Sequence, residues 1–164
     1  MKTETTLLIR DVGINTVREA TGTEILDVAR AYISKRIRRG TTLSSPRATR
    51  DYLSLRFGTR EYETFCVLHL DSRHRLIDCQ ELFRGTIDGA SVHPREIVKE
   101  AMQRNSAACI LVHNHPSGVA EPSQADELIT QRVKAALALV DIRVLDHLIV
   151  AGGEVISLSE RGTM

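Results

Sequence analysis

The run Ala107-Ala108-Cys109-Ile110-Leu111-Val112 is apolar at every position and leads directly into His113-Asn114-His115-Pro116-Ser117-Gly118. An unbroken apolar run of this kind reads as a buried strand, and burying it requires neighbouring strands and covering helices. The polar motif then falls at the strand's C-terminal edge, where two imidazoles emerge one residue apart. Ser123-Gln124-Ala125-Asp126 follows, so an aspartate stands eleven positions after the second histidine. No other part of the chain points to chemistry as sharply.

The surrounding pattern supplies those strands and helices. From Thr23 to Ile37 the apolar residues Ile25, Leu26, Val28, Ala29, Tyr32 and Ile33 recur with helical spacing, and Gly40 stops the helix. Ser45-Pro46 starts a second helix, with Ser as cap and Pro at the first helical position; it turns Tyr52, Leu53 and Leu55 inward and ends near Gly58. At Glu63 the period changes. Residues 64–70 are strand-like, Asp71-Ser72-Arg73-His74 is a turn, and Arg75 to Phe83 is a returning strand. Gly85 and Gly89 mark an irregular stretch. His93-Pro94-Arg95-Glu96 opens a helix, the strand 107–112 and the motif loop follow, and Ser123 opens a long helix. Leu145–Ala151 is a strand, Gly152-Gly153 a tight turn and Val155–Leu158 a last strand. The order from residue 63 is β-β-α-β-α-β-β, which implies an α/β domain with a mixed sheet flanked by helices. Residues 1–20 are weakly patterned, so 1–44 are expected to form a short helical N-terminal extension and 45–164 the domain.

Length and composition narrow the classes. At 164 residues the chain holds one full domain and not two. A net charge of +1 excludes a polyelectrolyte binder. No apolar run approaches the roughly 18 residues of a membrane span, and no secretory signal is visible, so no membrane association is expected. Cys66, Cys79 and Cys109 are odd in number and form no C-x-x-C pair, which argues against a thiolate metal site and fits the reducing cytoplasm. One local bias exists. Residues 35–60 carry eight basic side chains (Lys35, Arg36, Arg38, Arg39, Arg47, Arg50, Arg56, Arg60) against one acidic, Asp51.

Neutral imidazole and carboxylate oxygen bind Zn²⁺ at about 2.0–2.2 Å, and a catalytic zinc takes three protein ligands with a fourth position left for water. His113, His115 and Asp126 supply three. Strand residues i and i+2 point the same way, so the two histidines can converge on one ion, and Asp126 closes the site from the next helix. Pro116 fixes the chain after the second histidine, and Gly118 allows conformations closed to other residues. Hydrolysis also needs a general base. Spacing does not select one among Glu63, Glu81, Glu96, Glu100 and Glu121, although Glu63 stands at the mouth of the buried strand 64–70. Ser123 and Asp126 also fit a helix-capping pattern, and both roles can hold at once.

His113-x-His115, ten residues and Asp126, with Ser123 three before the aspartate, resembles the JAMM motif of the MPN (JAB) metallopeptidase fold. The stretches Leu82–Ile87, Val92–Glu96, Val112–Gly118 and Asp146–Val150 resemble the bacterial RadC family more closely. These motifs are highly specific, and the resemblance spans about residues 45 to 160. It implies the mixed, curved, cytidine-deaminase-like sheet of that fold, with zinc on His113, His115 and Asp126. It further implies Glu63 as the general base and Ser123 as the residue that stabilises the tetrahedral intermediate. Full-length RadC proteins resemble a longer plan with a helix-hairpin-helix-like N-terminal region; only about 45 residues precede the matching part here. In this the chain resembles the shorter RadC-like proteins carried on mobile elements.

The function expected is that of a zinc-dependent hydrolase cleaving a peptide or isopeptide amide in a peptide or protein substrate. The competing readings are a DNA-associated protein that acts on or binds nucleic acid through the basic 35–60 segment, and a metal-stabilised binding module without turnover. His69, alternating with apolar residues, is expected at the surface of its strand. His93 is expected at a helix entry, and His147 either near the site or in a structural pair with Asp146.

Overall fold

The computed structural model describes residues 6–11, 13, 15–36, 40, 46–85 and 91–164. The expected cap Ser45, Gly89, the end of the Leu82–Ile87 stretch and the basic residues Arg38 and Arg39 lie outside the described residues, as do the side chains of Lys35 and Arg36.

The chain begins with a small hairpin, β1 (Leu8–Asp11) and β2 (Thr16–Glu19), followed by α1 (Gly22–Arg36) and α2 (Pro46–Phe57). The hairpin stands where the sequence pattern is weak. Every residue of β2 is exposed, so no alternation against a core marks it. The apolar residues of α1 do not all face inward either: Val28 and Tyr32 are exposed.

A five-stranded sheet follows, built from β3 (Thr64–Leu70), β4 (Leu76–Arg84), β5 (Ala108–Asn114), β6 (Arg143–Ala151) and β7 (Glu154–Ser157), in the order β4-β3-β5-β6-β7. Only β5 and β6 run parallel, so the sheet is mixed. The parallel step needs a crossover, which is α4 (Gln124–Ala138); α3 (Pro94–Gln103) joins β4 to β5. Every residue of β3 is buried, which explains its continuous apolar reading.

The two-residue period sorts the core into two layers. Phe65, Val67, Cys109 and Leu111 face α3 and α4, meeting Ile97, Ala101, Val133 and Leu137. Cys66, Leu68, Leu70, Ala108 and Val112 face α2, meeting Tyr52, Leu53 and Phe57. Each fully buried Val, Leu, Ile or Phe among them contributes about 1.5–3 kcal/mol relative to exposure. Leu55 is only half-buried on the edge of that packing.

Three details differ from the sequence pattern. Strand β5 runs on through His113 and Asn114, because His113 has ladder partners on both sides, Phe65 of β3 and Ile149 of β6. The last strand stops at Ser157, whose hydroxyl accepts from Glu160 N at 3.1 Å and starts a short helix, α5 (Leu158–Arg161). His69 is buried, not on the surface, since β3 is central and covered on both faces. Among the described residues no helix is long and apolar enough to cross a membrane.

Candidate metal centre

His113 sits inside the sheet, 1% exposed, and His115 just beyond the end of β5, held by its N–H to the Val150 carbonyl at 2.9 Å. Both project on the α3/α4 face. The chain then turns, with Gly118 N donating to His115 O at 3.1 Å and Gly118 at φ +78°, a backbone conformation that favours glycine. Asp126 enters from the first turn of α4. The His113 and His115 Nε2 atoms are 2.8 Å apart; Asp126 Oδ1 lies 3.1 Å from the first and Oδ2 3.5 Å from the second. The three side chains each offer a ligand atom within 4.8 Å of the others.

The other ring nitrogen of His115 is already engaged. Nδ1 lies 2.8 Å from the Val119 carbonyl, which can only accept, so Nδ1 carries a proton and Nε2 is the nitrogen that can bind a metal once it gives up its own. An imidazole lone pair and a carboxylate facing one another call for a cation, and two imidazole nitrogens with a carboxylate form a zinc donor set. The residues present therefore fit the metal that the sequence pattern implies.

Hydrogen bonding to Asp126 raises the His115 imidazole above its usual 6.5, against the effect of burial; the Val119 carbonyl and the charge of Glu63 act in the same direction. Burial alone would raise the Asp126 carboxyl. The neighbouring His113 and His115 imidazoles and the Ser123 hydroxyl outweigh that and hold it far below the carboxylate range. A proton and a metal ion compete for the same place.

Asp126 and Ser123 have a second duty. Ser123 Oγ accepts from Asp126 N at 3.2 Å, and Asp126 Oδ2 accepts from Ser123 N at 2.7 Å, the reciprocal capping box of α4. The Ser123 hydroxyl proton also goes to Asp126 Oδ2, at 2.6 Å. Capping and ligation coincide in one carboxylate.

The site opens into a cavity of about 690 Å³ lined by Glu63, His93, His113, His115, Ser123 and Asp126 among others. Glu63 is the only one of the five candidate glutamates there. Glu81 pairs with Arg60, Glu96 with Lys99, Glu100 with Arg104, and Glu121 with Arg161. Sequence spacing had no means of making that selection, because every pairing is tertiary or lies along a helix face away from the cavity.

Asn114, between the two histidines, faces the other way and is 1% exposed. Its Oδ1 accepts from Thr64 N at 2.9 Å and its Nδ2 donates to Tyr62 O at 3.0 Å, so one side-chain amide clamps the backbone on both sides of Glu63. In the sequence it reads as a spacer; its position opposite two inward imidazoles was the available signal. His147, fully buried, lies with Nε2 2.9 Å from His113 Nδ1 and Nδ1 2.6 Å from Thr130 Oγ1. Burial first, then the charge of His113, hold it well below 6.5. Its partnership is thus with His113. Asp146 takes no part in it: its side chain accepts from Ser157 Oγ, Ser159 N and His147 N. His93 is at the helix entry, as expected, with no side-chain capping bond and its ring edge-on to Phe83.

Part of the basic segment is used internally. Arg50 pairs with Glu160, Arg60 with Glu81, and Arg56 lies over the Tyr52 and Phe57 rings.

A family model, the RadC-like JAB domain, matches residues 43–163. A UPF0758 protein of Marinobacter nauticus is 55% identical over 152 residues, covering 93% of this chain and 68% of the relative. One from Methylibium petroleiphilum is 50% identical over 164 residues, all of this chain and 74% of the relative, so residues 1–44 are shared with a longer protein. One from Nitrosococcus oceani is 58% identical over 139 residues, 85% of this chain and 62% of the relative.

Proposed function

The chain belongs to the RadC family of JAB-domain proteins, and from that premise we propose that it is a zinc-dependent hydrolase cleaving peptide or isopeptide amide bonds. The observation that carries this reading is the convergence of His113 Nε2, His115 Nε2 and Asp126 on one point at the floor of an open cavity that Glu63 also lines.

His113, His115 and Asp126 would hold the ion. Zinc in such a site acts as a Lewis acid and brings the acidity of water near neutral pH. Glu63, clamped by Asn114 at the cavity wall, takes the proton of the attacking water and delivers it to the leaving nitrogen. Ser123 supports the developing oxyanion; its hydroxyl must first turn away from Asp126 Oδ2, to which it donates in the resting site. The buried His113 and the half-buried Asp126 keep the donor set rigid, so little reorganisation accompanies the reaction.

Zinc at unit stoichiometry in protein purified without chelator, together with turnover in a panel of peptide and isopeptide amides, supports the reading. Glu63→Gln retains the metal and loses about 10²–10⁴-fold in turnover. Wild-type protein that takes up no zinc, or a Glu63→Gln variant as active as wild type, overturns it.

A further inference from the structure

The hydrogen bonds behind the site run in one direction only. Thr130, one turn after Asp126 in α4, places Oγ1 2.5 Å from the Asp126 carbonyl oxygen and 2.6 Å from His147 Nδ1. A carbonyl oxygen has no proton to give. The single hydroxyl proton must lie between the two oxygens, since otherwise two sets of lone pairs would face each other at that separation. The hydroxyl therefore accepts from His147, whose proton is on Nδ1. A buried neutral imidazole carries one proton, so His147 Nε2 is an acceptor, and the 2.9 Å contact is completed by His113 Nδ1–H. The lone pair of His113 is then left on Nε2, and in the zinc-free site the proton between that atom and His115 Nε2, 2.8 Å away, is His115's.

We propose that Thr130 and His147 are positioning residues: a proton relay anchored on the backbone carbonyl of Asp126 sets the tautomer of His113 and keeps its Nε2 lone pair pointed at the metal. The relay is closed. Asp126 offers its side chain to the ion and its own carbonyl to the far end of the chain of hydrogen bonds, so one ligand orients the other through two residues that never touch the ion. Thr130, His147 and His113 are 0%, 0% and 1% exposed, so no water competes for the relay. Phe65 packs against the rings of both His113 and His147, at 6.1 and 5.5 Å between centroids, and limits their rotation. The inference rests on the zinc reading for its purpose, though not for its proton order.

The test is Thr130→Val, which keeps the shape of the side chain and removes the hydroxyl. Without its acceptor, His147 can take the other tautomer, donate from Nε2 to His113 Nδ1, and push the His113 proton onto the ligating nitrogen. Zinc affinity, measured by competition with a chromophoric chelator, is expected to fall about 10–100-fold, the usual effect of losing an outer partner of a metal-bound histidine. Thr130→Ser, which restores the hydroxyl, is expected to recover most of the loss, a rescue that packing alone would not give. Two-bond ¹H–¹⁵N spectra of the zinc-free protein in mildly alkaline buffer read the tautomers directly, with Nδ1–H expected for both His113 and His147. Wild-type protein with His113 protonated on Nε2 overturns the relay. So does Thr130→Val binding zinc as tightly as wild type, and that result leaves the zinc reading intact. A wild type that takes no zinc yet shows the proton order overturns the zinc reading and supports the relay.

Discussion

Two buried histidines stand on the same face of the same strand pair and have opposite fates. His113 in β5 lies opposite Phe65, and His69 in β3 lies opposite Cys109, toward the other end of the ladder. Both are essentially inaccessible, at 1% and 0% exposure. His113 has every polar atom engaged or aimed at another ligand, beside a carboxylate, on the floor of an open cavity. His69 has Nδ1 on Ser106 Oγ at 3.0 Å, Cys109 Sγ nearby at 3.8 Å, and Nε2 without a partner. Burial and residue type are the same in the two places. What separates a candidate centre from an enclosed core position is the convergence of ligand atoms and the entrance for water.

The contrast breaks most decisively on metal content. His113→Ala is expected to abolish stoichiometric zinc, while the double variant His69→Leu/Ser106→Ala keeps it, as read by elemental analysis of both purified proteins. Loss of zinc in the double variant would place the second cluster in the metal site and dissolve the distinction. Removing both polar partners at once avoids stranding either of them, so the double variant is expected to be close to wild type in stability.

The next effect is on pH. Burial, with a smaller push from Arg104, lowers His69 from 6.5 to about 4 in the folded protein. The unfolded chain takes up this proton at 6.5 and the folded one resists until about 4, so stability falls as pH drops between those values. The loss from this group is roughly 3 kcal/mol, and it is absent in His69→Leu/Ser106→Ala. The zinc-free metal cluster contributes almost no slope over that interval, because its two shifted groups change stability outside it. Asp126, held low, stabilises above its unfolded value of 3.8, and that contribution is lost as pH falls through its folded value. His115, held high, stabilises below 6.5 and loses that contribution as pH rises through its raised folded value. Urea titrations between about pH 4 and 6.5, in chelator, check this: the slope is expected to persist in His113→Ala and to vanish in His69→Leu/Ser106→Ala, and equal slopes in both would remove the contrast.

The smallest effect concerns the opposite face of the sheet. Asn114→Ala leaves Thr64 N and Tyr62 O without their side-chain partner, at an expected cost of about 1–3 kcal/mol. Zinc content should stay at the wild-type level, and amide turnover should fall by less than in Glu63→Gln, because the base is loosened and not removed. Turnover unchanged within error would show that Glu63 does not depend on the clamp.

The sheet was legible because its strands obey one strong rule. Residues 64–70 are buried throughout, and the apolar run matches β3 residue for residue. His113, His115 and Asp126 were legible because their spacing is local. The N-terminal hairpin was not, since β2 buries nothing and so imposes no pattern. His69 misleads for the converse reason: flanked by Leu68 and Leu70, it alternates like an outward residue, and only the strands on both sides and the helices above show that β3 has no outward face. Thr130 and His147 are out of reach of spacing altogether. Their meaning lies in a proton order that exists only once α4 and β6 are packed together.

The capping box at the start of α4 has an evolutionary consequence. Ser123 and Asp126 would be retained by any descendant that still had to fold this helix, whether or not it had kept a reaction to perform. His113 and His115, by contrast, take no part in that cap. In a lineage drifting toward a purely structural role, the histidines are the positions expected to go first and the Ser-x-x-Asp pair the last. The His-x-His pair, and not the aspartate, is therefore the part of the motif whose retention depends on the proposed metal chemistry.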